Sequence, residues 1–191
     1  EKYLEVINRE PQKRITRYAA GIMGGTGFAV FFGCNVRDAI VALIVSVMIV
    51  AVGDWLAKRE SNLMVYNAIL SFISEVIIIV ALKMGVADHP DRIMIGIVML
   101  LISGLGTTNG IRDLLQRDFI SGFINIMNSF LGAAGIAFGI GLAIMLFHEG
   151  YSDHFILNHS VPIQLISCTV ACTGFAFWFK IRGKQVWYNS I

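Results

Sequence analysis

The segment Leu63–Leu82 reads LMVYNAILSFISEVIIIVAL, twenty residues with a single charge, Glu75. A helix of about 20 apolar residues crosses the hydrocarbon core of a bilayer, so this is the pattern of a membrane span. Asn67, Ser71, Ser74 and Glu75 lie at helical spacing and share one face. An acidic side chain in mid-span costs at least about 2.5 to 3.5 kcal/mol on insertion scales and therefore faces a cavity or a partner. Glu75 is a candidate proton-coupling or substrate-contacting group. The alternative is a neutral carboxyl hydrogen-bonded to a neighbouring helix.

Five further apolar runs flank this one, at Tyr18–Cys34, Ala39–Leu56, Ile93–Leu105, Gly122–Phe147 and Val161–Phe179. They lack the alternation of a barrel strand and are rich in Leu, Ile, Val, Ala, Met and Gly. The expected fold is all-α, a polytopic transmembrane helix bundle of five to six spanning helices. Composition agrees: the 191 residues are 56% hydrophobic and 15% charged, with a mean hydropathy of +0.71, whereas soluble domains carry about 25% charge. A net charge of +2 with no basic cluster excludes a nucleic-acid partner. Cys34, Cys168 and Cys172 lie within or at the edge of apolar runs without CxxC spacing, which argues against a disulfide framework or a zinc site.

Lysine and arginine are distributed unevenly among the loops. Twelve fall on one side: Lys2, Arg9, Lys13, Arg14, Arg17, Lys58, Arg59, Arg112, Arg117, Lys180, Arg182 and Lys184. Three, Arg37, Lys83 and Arg92, fall on the other. The positive-inside rule then puts the N-terminus in the cytoplasm. The polar segment 1–17 reads as a cytoplasmic N-terminal stretch rather than a signal peptide, and it opens on Glu1 instead of Met, as a piece of a longer protein would.

Thr26-Gly27-Phe28-Ala29-Val30-Phe31-Phe32 recurs as Thr173-Gly174-Phe175-Ala176-Phe177-Trp178-Phe179, with five of seven positions identical. Five helices separate the starts of the two copies, so the second runs in the opposite direction. This is the inverted-topology repeat of many secondary transporters. Residues 18–147 are then a first five-helix half, 148–160 an extracytoplasmic loop, and 161–191 the start of a second half.

The fourth run is short, about 20 Å of helix, and breaks at Ser103-Gly104-Leu105-Gly106. Thr107, Thr108 and Asn109 are N-cap residue types, and an amphipathic helix with Ile111, Leu114, Leu115 and Phe119 on one face follows. Its free N–H groups at Thr108–Gly110 are suited to a substrate carboxylate, as in discontinuous transporter helices. The alternative is a plain cytoplasmic helix with Asp113 and Arg117 as a weak i,i+4 pair. In the fifth run Asn125, Asn128 and Ser129 are followed by Gly132, Gly135 and Gly139. The glycines read as packing, like Gly21 and Gly25, and the asparagines near Arg112 as ligand candidates.

His148, Glu149, Asp153, His154 and His159 share one loop, but their spacing matches no zinc pattern. No metal and no cofactor are expected. Ser103 and Ser121 have no histidine within a helix to act as a base, because His89, His148, His154 and His159 all lie in loops. The chain is therefore not read as an enzyme.

Gly27-Phe28-Ala29-Val30-Phe31-Phe32-Gly33 with Asp38 carries a resemblance, as does Gly104-Leu105-Gly106-Thr107-Thr108-Asn109-Gly110-Ile111-Arg112-Asp113-Leu114-Leu115 with Asp118, Ser121 and Gly122. Together they resemble the threonine/serine exporter (ThrE-like) family, over Arg17 to Phe147, with Val161 to Ile191 similar to the opening of the family's second half. Ser103 stands where that family often has proline. The resemblance implies proton-driven export of threonine and serine, or of a dicarboxylate such as succinate, across the bacterial inner membrane. It also implies a second five-helix half, fused or separate.

The expected substrate-binding residues are Thr108, Asn109, Arg112, Ser121, Asn125 and Asn128, with Glu75 and Asp113 as proton-coupling groups and Asp38, Gly104 and Asp118 as motif positions. The expected partners are a small-molecule substrate, the lipid bilayer, the second half and further copies in an oligomer. A non-transporting assembly subunit and a channel are the alternatives.

Overall fold

The computed structural model describes residues 14–60, 62–102, 104–147 and 161–178. They form α1 (Arg14–Phe31), α2 (Val36–Leu56), α3 (Leu63–Lys83), α4 (Pro90–Leu101), α5 (Gly104–Leu115), α6 (Phe119–Phe147) and α7 (Val161–Trp178). The apolar runs of the sequence become these helices, and polar residues begin them. The Asp38 carboxylate accepts from Asn35 N ahead of α2 at 3.3 Å. Asn62 caps α3 by accepting from Met64 N at 3.0 Å, and Pro90 stands in the first turn of α4, where its missing N–H costs no bond.

Among the described residues, α2, α3 and α6 are each long and apolar enough to cross a membrane. The pair α4 and α5, bent by 48°, makes a fourth span when taken as one. The direction of the chain argues for that count. Gly132, Gly135 and Gly139 of α6 lie against Leu63 and Asn67, Met64, and Ser71 and Phe72 of α3, and Lys83 lies over the Phe147 ring. Numbering rises together on both helices, so α3 and α6 are parallel, and the chain between them must return across the bundle through α4 and α5. α1 and α7 contain the shorter apolar stretches Tyr18–Phe31 and Pro162–Phe175.

The glycines of α6 are what allow it to seat on α3. A Cβ at Gly135 would strike the Met64 backbone, and one at Gly132 would lie 3.0 Å from the Asn67 amide nitrogen. In the glycine's absence of a side chain, Asn67 Nδ2 donates to Gly132 O at 3.2 Å. On the other side of the bundle α1 packs against α2, α4 and α7, and the core there holds Ala29, Val41, Val45, Ile49, Ile93 and Ile97.

The sequence repeat has a structural counterpart. A Cβ at Gly27 would fall 2.9 Å from the Ala171 backbone, and one at Gly174 would fall 2.7 Å from Gly24 N. As numbers rise on α1 they fall on α7, so the two helices are antiparallel. Thr173 follows Thr26 by 147 residues, and adding or subtracting that offset turns the Gly27–Ala171 contact into the Gly174–Gly24 contact. Phe28 and Phe175 are each other's counterparts and meet edge to face with ring centroids 5.1 Å apart. The contact is self-complementary in the manner of a two-fold interface, with the two phenylalanines on its axis.

Candidate functional site

The break in the fourth span comes where α4 ends at Leu101, with Ile102 in extended backbone (φ −65°, ψ 125°). Its surroundings are the repeat contact. A Cβ at Gly24 would meet Phe175 at 3.2 Å and Leu100 at 3.5 Å. Gly25 faces Ser46, a fully buried hydroxyl of α2 that donates to Ala42 O at 2.7 Å. One turn before Leu100 on α4, Gly96 lies so close to α1 that a Cβ there would be 2.7 Å from Ala29 N. The interrupted helix is thus pressed against the contact between α1 and α7. Transporters of repeated architecture place their binding sites at such interfaces.

α5 begins at Gly104, three residues earlier than Thr107, the first of the N-cap residue types. The orphan N–H groups of its first turn are therefore those of residues 104–107, and Thr108, Asn109 and Gly110 lie inside the helix. This corrects the expected anion-binding terminus at Thr108–Gly110. The physical reason is that a glycine in a helix costs only about 0.5–1 kcal/mol relative to alanine, too little to make a Gly-rich stretch the break itself.

The shared motif builds a helical hairpin from α5 and α6. A Cβ at Gly110 would lie 2.9 Å from Gly122 O, and one at Gly122 would lie 2.8 Å from Gly110 O. The turn between them contains Arg117 at φ 65°. Asp118 closes it by accepting from Ser121 N at 3.3 Å, a cap on the first turn of α6. Half-buried Asp113 accepts from Asn125 Nδ2 at 2.9 Å, and Ser129 Oγ donates to Asn125 O at 3.0 Å. Thr108, Asn109, Arg112, Ser121 and Asn128 are exposed on the hairpin.

Glu75 is 1% exposed and shares the buried face of α3 with Asn67, Ser71 and Ser74, as its spacing predicts. It does not meet Asp113. The Asn67–Gly132 and Asp113–Asn125 bonds fix the levels of the helices, and at 1.5 Å per residue the two acids are about 22 Å apart along the axis. They belong to two places rather than one site.

Asp38 stands at the other end of the bundle and is fully buried. It accepts from Asp88 N at 2.8 Å, from His89 N at 3.2 Å and from the His89 ring at 3.2 Å. Arg92, in the first turn of α4, adds a bond across the same end by donating to Gly33 O. Neither His89 nor Arg92 stands out in the sequence, because both lie at the edge of a turn with no period to mark them. An apolar groove of about 460 Å³ between α3 and α6, lined by Met64, Phe72, Phe138 and Leu142 among others, offers nothing to a zwitterion. The histidine-rich stretch 148–160 lies outside the described residues, as do Ser103 and the chain beyond Trp178.

Three comparisons bear on this arrangement. The chain matches the family model of threonine/serine exporters (ThrE) over residues 1–147. It is similar to a threonine/serine exporter of Corynebacterium glutamicum, with 24% identity over 153 residues that make up 76% of this chain and 31% of the relative. The chain thus spans less than a third of that curated relative's length. No solved structure matches.

Proposed function

Because the chain belongs to the threonine/serine exporter family, we propose that it is part of a proton-coupled exporter of a small polar metabolite, threonine or serine or a dicarboxylate such as succinate. The observation that carries this reading is the interrupted α4–α5 span held against the antiparallel α1–α7 contact. An interrupted helix exposes unpaired N–H groups and a positive dipole end within the bundle, and both stabilise a carboxylate. The first turn of α5, residues 104–107, holds the cargo carboxylate in this account. Thr108 and Asn109 lie one turn on, and Arg112 guards the approach along the hairpin.

The coupling proton is carried by Glu75 at depth or by Asp113 beside Asn125. Alternating access follows from rocking of the first half against a second five-helix half of opposite topology, which the inverted α7 begins. Arg112, Arg117, Lys58 and Arg59 lie at one end of the bundle and support a cytoplasmic hairpin and a cytoplasmic N-terminus in the bacterial inner membrane.

The test is gradient-driven efflux of labelled cargo from liposomes holding the full-length protein, with Arg112→Ala and Glu75→Gln beside the parent. Loss of efflux in one or both at normal expression supports the reading, and normal efflux in both overturns it. An assembly subunit is the second reading, favoured by the long exposed apolar face of α6 from Phe119 through Ile120, Phe123, Phe130 and Phe138. Transport that is abolished by changes in a partner and by none in this chain would favour that reading.

A further inference from the structure

Four donors reach the fully buried Asp38 carboxylate, and all come from two turns. Asn35 N lies in the turn between α1 and α2, and Asp88 N, His89 N and His89 Nδ1 lie in the turn between α3 and α4. Three of these bonds cross between the turns, and the Arg92 bond to Gly33 O crosses beside them. A rigid closure needs no titrating member, yet this one contains an imidazole. The His89 side chain is 37% exposed while Asp38 is 0% exposed, so the imidazole reaches water at that face and its partner does not.

His89 Nδ1 contacts Asp38 Oδ2. A neutral imidazole donates there only in the Nδ1–H tautomer. A protonated one makes the same contact charge-assisted and roughly twice as strong. The surrounding ionisable groups are few. Asp91 and Arg92 approach from α4 and act electrostatically on Cys34. Asp88 is exposed and lends its backbone N–H. Arg37 of α2 is exposed, Lys83 at the end of α3 lies over Phe147, and Cys34 follows α1.

We propose that His89 and Asp38 form a proton-operated latch across the end of the bundle opposite the α5–α6 hairpin. A proton taken from water onto the free ring nitrogen of His89 locks the α1–α2 turn to the α3–α4 turn, and its return to water loosens them. The purpose of the latch rests on the exporter reading. That end faces the acidic side of the gradient, so the proton closes the gate behind released cargo.

Cys34 is a natural reporter. It is 2% exposed beside the latch, and burial, with the Asp38 carboxylate adding to it, pushes its thiol up to about 12. It reacts with thiol reagents only when the turn opens. The experiment uses the full-length protein in lipid nanodiscs with Cys168→Ser, Cys172→Ser and any cysteine beyond this chain replaced. Labelling of Cys34 by a maleimide is followed at about pH 6 and about pH 8, on either side of the ordinary imidazole range. Each rate is divided by that of the same protein unfolded in detergent at the same pH.

The expected result is a normalised rate about five-fold lower at the acid pH, as a charge-assisted bond requires. In His89→Gln, which keeps a donor but does not titrate, that dependence disappears. Equal normalised rates in the parent, or the parent's dependence surviving in His89→Gln, overturns the proposal. Asp38→Asn should label fast at both pH values, and should it fail to fold, His89→Gln still decides. No cargo is involved, so a latch that behaves as expected in a protein that exports nothing would count against the exporter reading and not against the latch.

Discussion

Two of the three carboxylates of the shared motifs, Asp38 and Asp113, sit at opposite ends of the bundle and are held very differently. Asp38 is fully buried and takes donors from two turns, three of them backbone N–H groups. Asp113 is half-buried on a helical hairpin, where Asn125 donates to it. A carboxylate saturated by its own chain has no capacity left for cargo, whereas one held by a side-chain amide can exchange that partner. Motif membership therefore does not equal ligand contact. One acid closes an end of the fold, and the other stands where the chain leaves polar groups exposed.

Substitutions at the two ends should differ in effect. Asp38→Ala leaves four donors from two turns without their acceptor, each lost bond costing about 0.5–1.5 kcal/mol. We expect it to be the most damaging change, seen as loss of the monodisperse protein or a large drop in melting temperature in detergent. Next comes Gly110→Val, whose branched side chain must enter the space that Gly122 O and Ile126 occupy. Overpacking of this kind costs about 1–3 kcal/mol, and the loss should show in the same melting assay.

Asp118→Ala removes the α6 cap at a cost of about 1 kcal/mol, read as earlier proteolysis within the turn around Arg117. Asp113→Ala loses one bond at a half-exposed position, about 0.5–1.5 kcal/mol, and should leave melting nearly unchanged while lowering efflux. Equal melting losses for Asp38→Ala and Asp113→Ala would erase the distinction between the two ends.

Sequence reasoning reached the parts of the molecule that repeat. The face of Asn67, Ser71, Ser74 and Glu75 is buried as its spacing requires, because a helix pitch converts spacing directly into a face. The Gly132, Gly135 and Gly139 stripe packs against α3 for the same reason. The Thr26 and Thr173 repeat was readable as an inverted pair, and the contact between α1 and α7 follows it. What pattern does not encode is which residues meet across distant turns. His89 and Arg92 find Asp38 and Gly33 through packing of α1, α2 and α4, and no local signal announces it. The start of α5 is not legible because the helix begins within the Gly-rich stretch itself, at Gly104, where residue type marks a break rather than a start. The pairing of Gly110 with Gly122 depends on a turn whose Arg117 adopts positive φ, a conformation that arginine type does not foretell.

We propose that the break in a span at the repeat contact serves transport. Its most direct test is efflux of labelled threonine, serine and succinate from liposomes holding the full-length protein and any separate second half, with and without an imposed proton gradient. At least one of them should leave only when the gradient is present. Efflux indifferent to the gradient, or no efflux of any of the three, would contradict it.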